Sequence, residues 1–230
     1  MKIARVLCLA VATLLFTSVY ASAAFTRNVV KDVRDSAEVL QEIMRIPEKG
    51  IPPALLRDAK AVVIIPDTIK GAFIVGGRHG TGVALVRQEN GKWSDPLFVS
   101  ISGASIGWQI GGKATDLVLV FKSMKGVEGL MKGKFTLGAD ASVAAGPVGR
   151  SAEAATDVML KSEILSYSRS RGFFGGVSLE GAALLVSQDA NEKYYGRPLS
   201  ARDIVAGMGG RKRAETRRLQ DLLHRYSEMR

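Results

Sequence analysis

Cysteine, histidine and tryptophan are scarce in this chain of 230 residues, which holds one cysteine, two histidines and two tryptophans. Cys8 lies in an N-terminal segment that we expect to be removed, so the mature chain has no disulfide and no thiol chemistry. His79 and His224 are far apart in sequence, which disfavours a zinc site built from histidine and cysteine ligands. We therefore predict no metal and no cofactor.

The apolar run at the N-terminus is too short for a membrane anchor and instead indicates a secretory signal. Lys2 and Arg5 give a basic start, Val6–Phe16 is apolar, and Ala21–Ala23 supplies the small residues of a cleavage site. We expect cleavage before Ala24 and export to the periplasm, with the protein peripheral on the envelope membrane. A retained membrane anchor is the disfavoured alternative.

Acidic residues are too few to balance the basic ones. The chain has 32 Lys and Arg against 22 Asp and Glu, a net charge of +10, and loss of Lys2 and Arg5 leaves +8. A basic protein attracts polyanions. For an exported protein the accessible polyanion is a membrane surface, so we predict no nucleic-acid partner. Simple solubility is the alternative explanation of the charge.

The block from Ala59 to Gly112 predicts a β core. Its Val- and Ile-rich runs are Ala61–Ile65, Gly71–Val75 and Val83–Val86, bounded by Pro66, Gly76-Gly77 and Asn90-Gly91. Sixteen glycines fall between Gly71 and Gly149, and glycine at this density in strands indicates bulges and bends. We expect a strongly curved sheet, with Trp93 and Trp108 in its core.

Three amphipathic segments accompany the predicted sheet. Apolar residues recur three or four apart in Val29–Ile46, which predicts an N-terminal helix, and in Phe121–Phe135, which predicts a crossover helix. Arg211–Arg230 is a basic amphipathic segment beyond Gly209-Gly210, either docked on the domain or peripheral as a tether. The predicted fold is α+β, with a mainly antiparallel, barrel-like or sandwich β core. We divide the chain into a signal (1–23), a domain (24–206) and a basic segment (207–230).

Several short motifs in order along the chain resemble the SYLF-domain family. They are Gly76–Gly82, Gly91–Pro96, Gly107–Gly111, Lys134–Asp140, Ala145–Arg150, Ser166–Gly172, Gly176–Gly181 and Tyr194–Gly196. The resemblance runs from about Val29 to Val205 and leaves Arg211–Arg230 outside. The family is known for lipid binding, and one yeast member bundles actin.

Candidate lipid contacts are the basic residues of the three amphipathic segments. In eukaryotic SYLF proteins a basic segment near the domain start is associated with membrane contact, although Asp32 and Asp35 interrupt it here. The alternative for each segment is simple packing on the core. The candidates are Arg27, Lys31 and Arg34; Lys122, Lys125, Lys132 and Lys134; and Arg211, Lys212 and Arg213.

The resemblance implies a non-enzymatic, lipid-binding protein of the bacterial envelope that binds an anionic phospholipid or membrane surface. Actin bundling is not expected, because an exported bacterial protein does not meet actin. An envelope scaffold for protein partners is the alternative. A hydrolase using Ser105 is less favoured, because a β segment follows Gly103–Gly107, which has the GxSxG pattern. Gly107–Ala114 lacks the Ser or Thr that a phosphate-binding loop needs after its lysine.

Overall fold

The computed structural model describes residues 28–45, 50–73, 75–105, 113–148, 161–170 and 173–229, which hold six helices and nine strands. The helices are α1 (Val29–Ile43), α2 (Pro53–Asp58), α3 (Met124–Met131), α4 (Gln188–Tyr195), α5 (Ala201–Val205) and α6 (Ala214–Glu228). The strands are β1 (Ala61–Phe73), β2 (Val75–Val86), β3 (Leu97–Ser105), β4 (Lys113–Phe121), β5 (Lys134–Thr136), β6 (Val143–Ala145), β7 (Ile164–Ser170), β8 (Phe173–Gly176) and β9 (Ala183–Val186).

All nine strands form one sheet, in the order β5-β9-β3-β2-β1-β4-β7-β6, with β8 paired to β7. Every pairing is antiparallel except that of β6 with β7. The edge strands β5 and β6 are joined by residues 137–142 alone. From Thr136 to Val143 an extended chain reaches about 25 Å, whereas eight strands laid flat would separate the edges by about 34 Å. The sheet therefore curls into a half-barrel, which confirms the predicted curvature and α+β class.

A β-bulge bends the central strand β1. Its register shifts between Ile64 and Ile69 against β2, and between Ile65 and Thr68 against β4. Asp67, in the bulge, has φ 48, and its N–H donates to Asp116 Oδ1 at 3.0 Å. The predicted strand breaks at Pro66 and Gly76-Gly77 are wrong, because β1 and β2 run through these residues. The bulge accommodates a proline, which has no N–H for the sheet.

Each face of the sheet carries its own apolar core. The inner face includes Phe135 of β5 and Val143 of β6, and it packs against Val127 of α3 and Ile204 of α5. The outer face packs against α1, α2 and α6. The predicted crossover helix is confirmed: α3 leads from β4 to β5, which are far apart in the sheet order.

Side-chain caps fix the starts of three helices. Asn28 Oδ1 accepts from the Lys31 N–H at 3.1 Å at α1. Ser123 Oγ accepts from the Gly126 N–H at 3.3 Å at α3. Ser200 and Asp203 form a reciprocal capping box at α5, in which each side chain binds the other's backbone.

The C-terminal helix α6 is part of the packed domain. Leu219 and Leu223 are fully buried in the outer core, and Gln220 Nε2 donates to Trp93 O at 2.9 Å. Arg57 Nη2 donates to Met229 O at 2.8 Å and holds the end of the chain. The docked alternative is therefore confirmed. The tether alternative is wrong, because the apolar stripe of the helix is buried rather than free.

Trp93 is a core residue, as predicted. Its side chain is 3% exposed, and the Arg87 guanidinium carbon lies 4.3 Å from the ring centroid. Trp108 and the segment 151–160 lie outside the described residues.

Candidate functional site

The strand register gathers several chain connections at one end of the sheet. Ala61 at the start of β1 lies opposite Val86 at the end of β2 and opposite Phe121 at the end of β4. Leu97 at the start of β3 lies opposite Ala84 of β2. We call this the hairpin end, because the turn between β2 and β3 is located there.

Two of the three predicted basic segments share the hairpin end. Helix α3 starts three residues after Phe121 and is followed by β5, whose Lys134 pairs with Leu185 of β9. The loop from α5 to α6, residues 206–213, is held by Gln88, whose Nε2 donates to Val205 O at 2.7 Å. We call this loop the basic loop. The structure thus brings together residues that are about 80 positions apart in sequence.

The four lysines around α3 differ in their freedom to meet a ligand. Lys122 is half-buried, and burial lowers the pKa of its ammonium group. Lys125 Nζ lies 3.7 Å from Glu163 Oε1, although its side chain is mostly exposed. Lys132 and Lys134 are exposed, and their side chains have no hydrogen-bond or ion-pair partner among the described residues. The last two are therefore the most available cations of this group.

The basic loop presents three consecutive cations. Arg213 Cζ lies 4.8 Å from the Tyr194 ring centroid, and its Nη2 donates to Tyr194 O at 3.0 Å. Lys212 Nζ donates to Gln220 Oε1 at 3.2 Å. Arg211 is exposed and is without a hydrogen-bond or ion-pair partner in the part of the chain that the structure describes. Arg213 is therefore anchored, whereas Arg211 is available to a ligand.

Exposed methionines accompany both basic segments. Met208 of the basic loop is 55% exposed and Met124 of α3 is 43% exposed. Both exceed the exposure of the neighbouring apolar side chains Val127, Leu130 and Ile204, which are fully buried. Met124 lies in the predicted crossover segment Phe121–Phe135, whereas no prediction from the sequence involved Met208. A lone apolar residue between Gly207 and Gly209 was the available signal.

The candidates on α1 lie elsewhere. Lys31 and Arg34 both contact the Asp35 carboxylate, whose hydrogen bond raises the pKa of Lys31. Lys31 also feels the charge of Asp67, which is six residues, or about 20 Å of strand, from the hairpin end. Arg27 lies outside the described residues. The described α1 cations are thus partly neutralised and separate from the other two groups.

A cavity of about 180 Å³ lies beneath the basic loop. Its lining includes Asp95, Tyr194, Tyr195 and Thr216, together with residues 209–213. Asp95 is 3% exposed, and neither of its carboxylate oxygens has a hydrogen-bond partner among the described residues. Lys212 is the cation that pairs with Asp95, and its Nζ lies 3.6 Å from Asp95 Oδ1. At this distance Lys212 and Asp95 form an ion pair, but the two atoms are too far apart for a hydrogen bond.

The loop backbone approaches the cavity closely at Gly209. A Cβ at this position would lie 2.7 Å from Asp95 Oδ2 and 2.6 Å from the Tyr195 ring, so a side chain there would collide with both. The Tyr195 hydroxyl donates to Pro96 O at 2.7 Å. Burial, and then the negative charge of Asp95, raise the pKa of Tyr195. The sequence analysis used Asp95 only as part of the Gly91–Pro96 motif and missed its position in a cavity.

The geometry does not assemble a hydrolase around Ser105. Ser105 ends β3, eight residues or about 26 Å from Leu97 at the hairpin end. His224 lines a cavity with Asn90 of the hairpin turn, so it belongs to the opposite end of β3. His79 pairs with Ser102, about 10 Å along the strand from Ser105. A nucleophilic serine must lie within hydrogen-bond distance of its base, and the strand positions of His79 and His224 do not bring either residue that close to Ser105.

The described residues offer neither a metal site nor a membrane-spanning helix. They contain no group of three or more His, Cys, Asp or Glu side chains arranged to hold a metal ion. None of the helices in the described ranges has the length and apolar content needed to cross a membrane. The phosphate-loop likeness of Gly107–Ala114 is continued by strand β4 rather than by the helix that such a loop requires.

Known proteins share much of this chain. Residues 102–226 match the family described as "Ysc84: Las17-binding protein actin regulator". The match reaches into α6, so the expectation that Arg211–Arg230 lies outside the resemblance is wrong.

Curated relatives include yeast and human proteins. "Protein YSC84" of Saccharomyces cerevisiae is 36% identical over 189 residues, which is 79% of this chain and 40% of that protein. "SH3 domain-containing YSC84-like protein 1" of Homo sapiens is 34% identical over 207 residues, which is 87% of this chain and 60% of that protein. The alignments thus span less than two thirds of these relatives. From the family match and these identities, the chain belongs to the Ysc84/SYLF family.

Proposed function

We propose that this protein is a non-enzymatic membrane-binding domain that docks on anionic phospholipid through its hairpin end. One observation carries the proposal. The two exposed methionines, Met124 and Met208, lie at the same end of the sheet as the lysines of α3 and the cations of the basic loop. Apolar side chains that enter the interface, flanked by cations that meet phosphates, are the usual means of peripheral membrane attachment.

The magnitude of the attraction is modest and reversible. Each Lys or Arg near an anionic surface contributes about 1 kcal/mol, and the effect falls off within a Debye length. Lys132, Lys134 and Arg211 have no partner to release among the described residues, so together they contribute about 3 kcal/mol. Two inserted methionines add apolar burial that salt does not screen.

Replacement of the available cations tests the proposal. The triple change Lys132→Gln, Lys134→Gln and Arg211→Gln is expected to weaken binding to vesicles containing phosphatidylglycerol by about 100-fold, since 1.4 kcal/mol is tenfold. Vesicle co-sedimentation over a range of salt concentrations measures it. Because these side chains contact no described partner, the melting temperature is expected to stay unchanged.

A matched control removes the same charge from the outer face. Arg45, Arg218 and Arg225 are exposed and line cavities between α1 and α6. Their replacement by Gln is expected to change binding by about threefold or less, because they line cavities with residues of α1 and belong neither to the segment around α3 nor to the basic loop. Equal losses in both triple variants would show that net charge alone drives binding. Binding that ignores lipid charge and salt would reject the electrostatic mechanism.

A second function, binding of a protein partner, is supported by the family description. The matched family is described as Las17-binding, and a second yeast relative, "LAS seventeen-binding protein 3", is 35% identical over 189 residues. A scaffold role for this chain would use a protein surface of the same domain. Retention of partner binding by the triple hairpin-end variant would separate the two functions.

We further propose that the chain is exported to the bacterial envelope. The proposal rests on the basic start, the apolar run and the Ala21–Ala23 site, which all lie outside the described residues. N-terminal sequencing of protein from expressing bacteria is expected to begin at Ala24. An intact Met1 on a cytosolic protein would overturn export and would restore nucleic acid as a possible polyanion.

A further inference from the structure

We propose that the cavity beneath the basic loop binds the zwitterionic headgroup of phosphatidylethanolamine, with Asp95 receiving the ammonium and the basic loop receiving the phosphate. The inference rests on the proposed membrane function and names a specific headgroup within it. Three observations carry it: a buried carboxylate without hydrogen bonds, a run of cations directly above it, and an exposed apolar residue beside both.

The carboxylate of Asp95 lacks the donors that a buried anion needs. Both oxygens are buried beneath the basic loop and have no hydrogen bonds among the described residues. Buried carboxylates are ordinarily satisfied by hydrogen bonds, and an unsatisfied one carries a large desolvation penalty. Lys212 neutralises part of the charge from 3.6 Å, but its ammonium donates to Gln220 instead. The carboxylate of Asp95 is therefore only partly neutralised, and its hydrogen bonds are missing.

A primary ammonium supplies what is missing. It carries three N–H donors, enough for both carboxylate oxygens. The rings of Tyr194 and Tyr195 line the same cavity, and aromatic faces attract cations. A volume of about 180 Å³ exceeds what a single water molecule needs and admits a small charged group. A quaternary ammonium would meet the rings and the charge but has no N–H to donate.

The phosphate half of the headgroup meets the basic loop. Arg211, Lys212 and Arg213 all line the cavity and are exposed on its outer side. Arg213 is held over Tyr194, so its guanidinium stands above the cavity wall. An ethanolamine phosphate places its amine and its phosphate a few bonds apart, which matches a carboxylate directly beneath a cationic loop.

Met208 indicates a lipid rather than a free metabolite. It lies immediately before Gly209, the residue whose backbone covers Asp95, and more than half of its side chain is exposed. An apolar side chain at the mouth of a headgroup cavity meets the acyl and glycerol region when the headgroup is bound. A soluble ligand would have no use for it.

Vesicle binding with the headgroup as the variable tests the proposal. Two sets of vesicles hold the same fraction of phosphatidylglycerol, in a background of either phosphatidylethanolamine or phosphatidylcholine. The intact chain is expected to bind the phosphatidylethanolamine set about tenfold more tightly, since hydrogen bonds to a charged group are among the stronger ones. The Asp95→Asn variant is expected to lose this preference while still binding phosphatidylglycerol.

Two controls make the result decisive. Glu89→Gln removes one negative charge from an exposed residue of the hairpin turn, so it matches the charge change of Asp95→Asn and should leave the preference intact. If Asp95→Asn fails to fold, calorimetry of the unmodified chain with soluble phosphoethanolamine and soluble phosphocholine decides, because neither ligand brings a bilayer. Binding of phosphoethanolamine alone would support the site, and equal binding or no binding of both would overturn it. Calorimetry with soluble phosphoethanolamine tests the source of the ligand.

The outcomes separate this inference from the proposed function. Binding to both vesicle sets with equal affinity would overturn the headgroup site and leave anionic docking intact. Absence of binding to either set would overturn the membrane function itself. A preference that survives Asp95→Asn would come from the bilayer rather than the cavity and would also overturn the site. Tight binding of soluble phosphoethanolamine without a vesicle preference would overturn the lipid as its source.

Discussion

Replacement of Leu223 by alanine is expected to lower the free energy of unfolding by about 2–5 kcal/mol, and removal of residues 211–230 is expected to unfold the domain. Leu223 and Leu219 are fully buried in the outer core, and α6 packs on both α1 and α2. Truncating a buried leucine loses its transfer free energy and leaves a cavity. Deleting the whole helix would uncover the outer core. Urea denaturation followed by circular dichroism measures both effects.

Arg225→Ala is the matched control for this prediction. Arg225 lies two positions further along α6 and is exposed, so its loss is expected to change stability by less than about 0.5 kcal/mol. A chain truncated after Gly210 that melts like the full protein would contradict the packing of α6. It would restore the interpretation of the segment as a tether whose loss affects membrane binding alone.

Replacement of Gly82 by alanine is expected to cost about 3 kcal/mol or more. A Cβ at Gly82 would lie 2.0 Å from Ile64 O and 2.7 Å from Ile65 Cα, both backbone atoms of the neighbouring strand β1. Overpacking that side chains can relieve costs about 1–3 kcal/mol. Here no side-chain movement removes the collision, so β1 and β2 must separate beside the bulge at Asp67. Thermal unfolding measures the loss.

Thr81→Ala provides the comparison at the adjacent position of β2. Thr81 is half-buried, and its replacement removes atoms instead of adding them, so a loss of about 1 kcal/mol or less is expected. Equal melting temperatures for Gly82→Ala and the unmodified protein would contradict the close approach of the two strands. The pair thus tests the geometry that bends the half-barrel.

Local chemistry was sufficient to predict the secondary elements that have a strong period or a clear cap. The spacing of Val33, Ala37 and Leu40 predicted α1, and the Asn28 cap is present. Ser200 followed three residues later by an acidic residue is the pattern of a capping box, and α5 starts there. These features depend on neighbours within about four residues, which a sequence displays directly.

Prediction was less accurate where a strand passes through residues that usually end one. Pro66 and Gly76-Gly77 are typical strand boundaries, yet β1 and β2 continue through them. The bulge at Asp67 and the partners on both sides of β1 outweigh the local preference. Tertiary pairing overrides propensity in this way because a central strand gains hydrogen bonds along two edges.

The candidate site likewise combines features that are visible in the local sequence with features that depend on long-range packing. The basic amphipathic segments and the motifs of the Ysc84/SYLF family are visible in the sequence, because charge, period and motif order are properties of neighbouring residues. The shared position of α3 and the basic loop at the hairpin end, and that of Asp95 beneath Gly209 and beside Tyr194, follow instead from the three-dimensional packing. These residues are distant along the chain, and the sheet register and the docking of α6 bring them together. Such long-range pairing leaves no periodic signal in a single sequence.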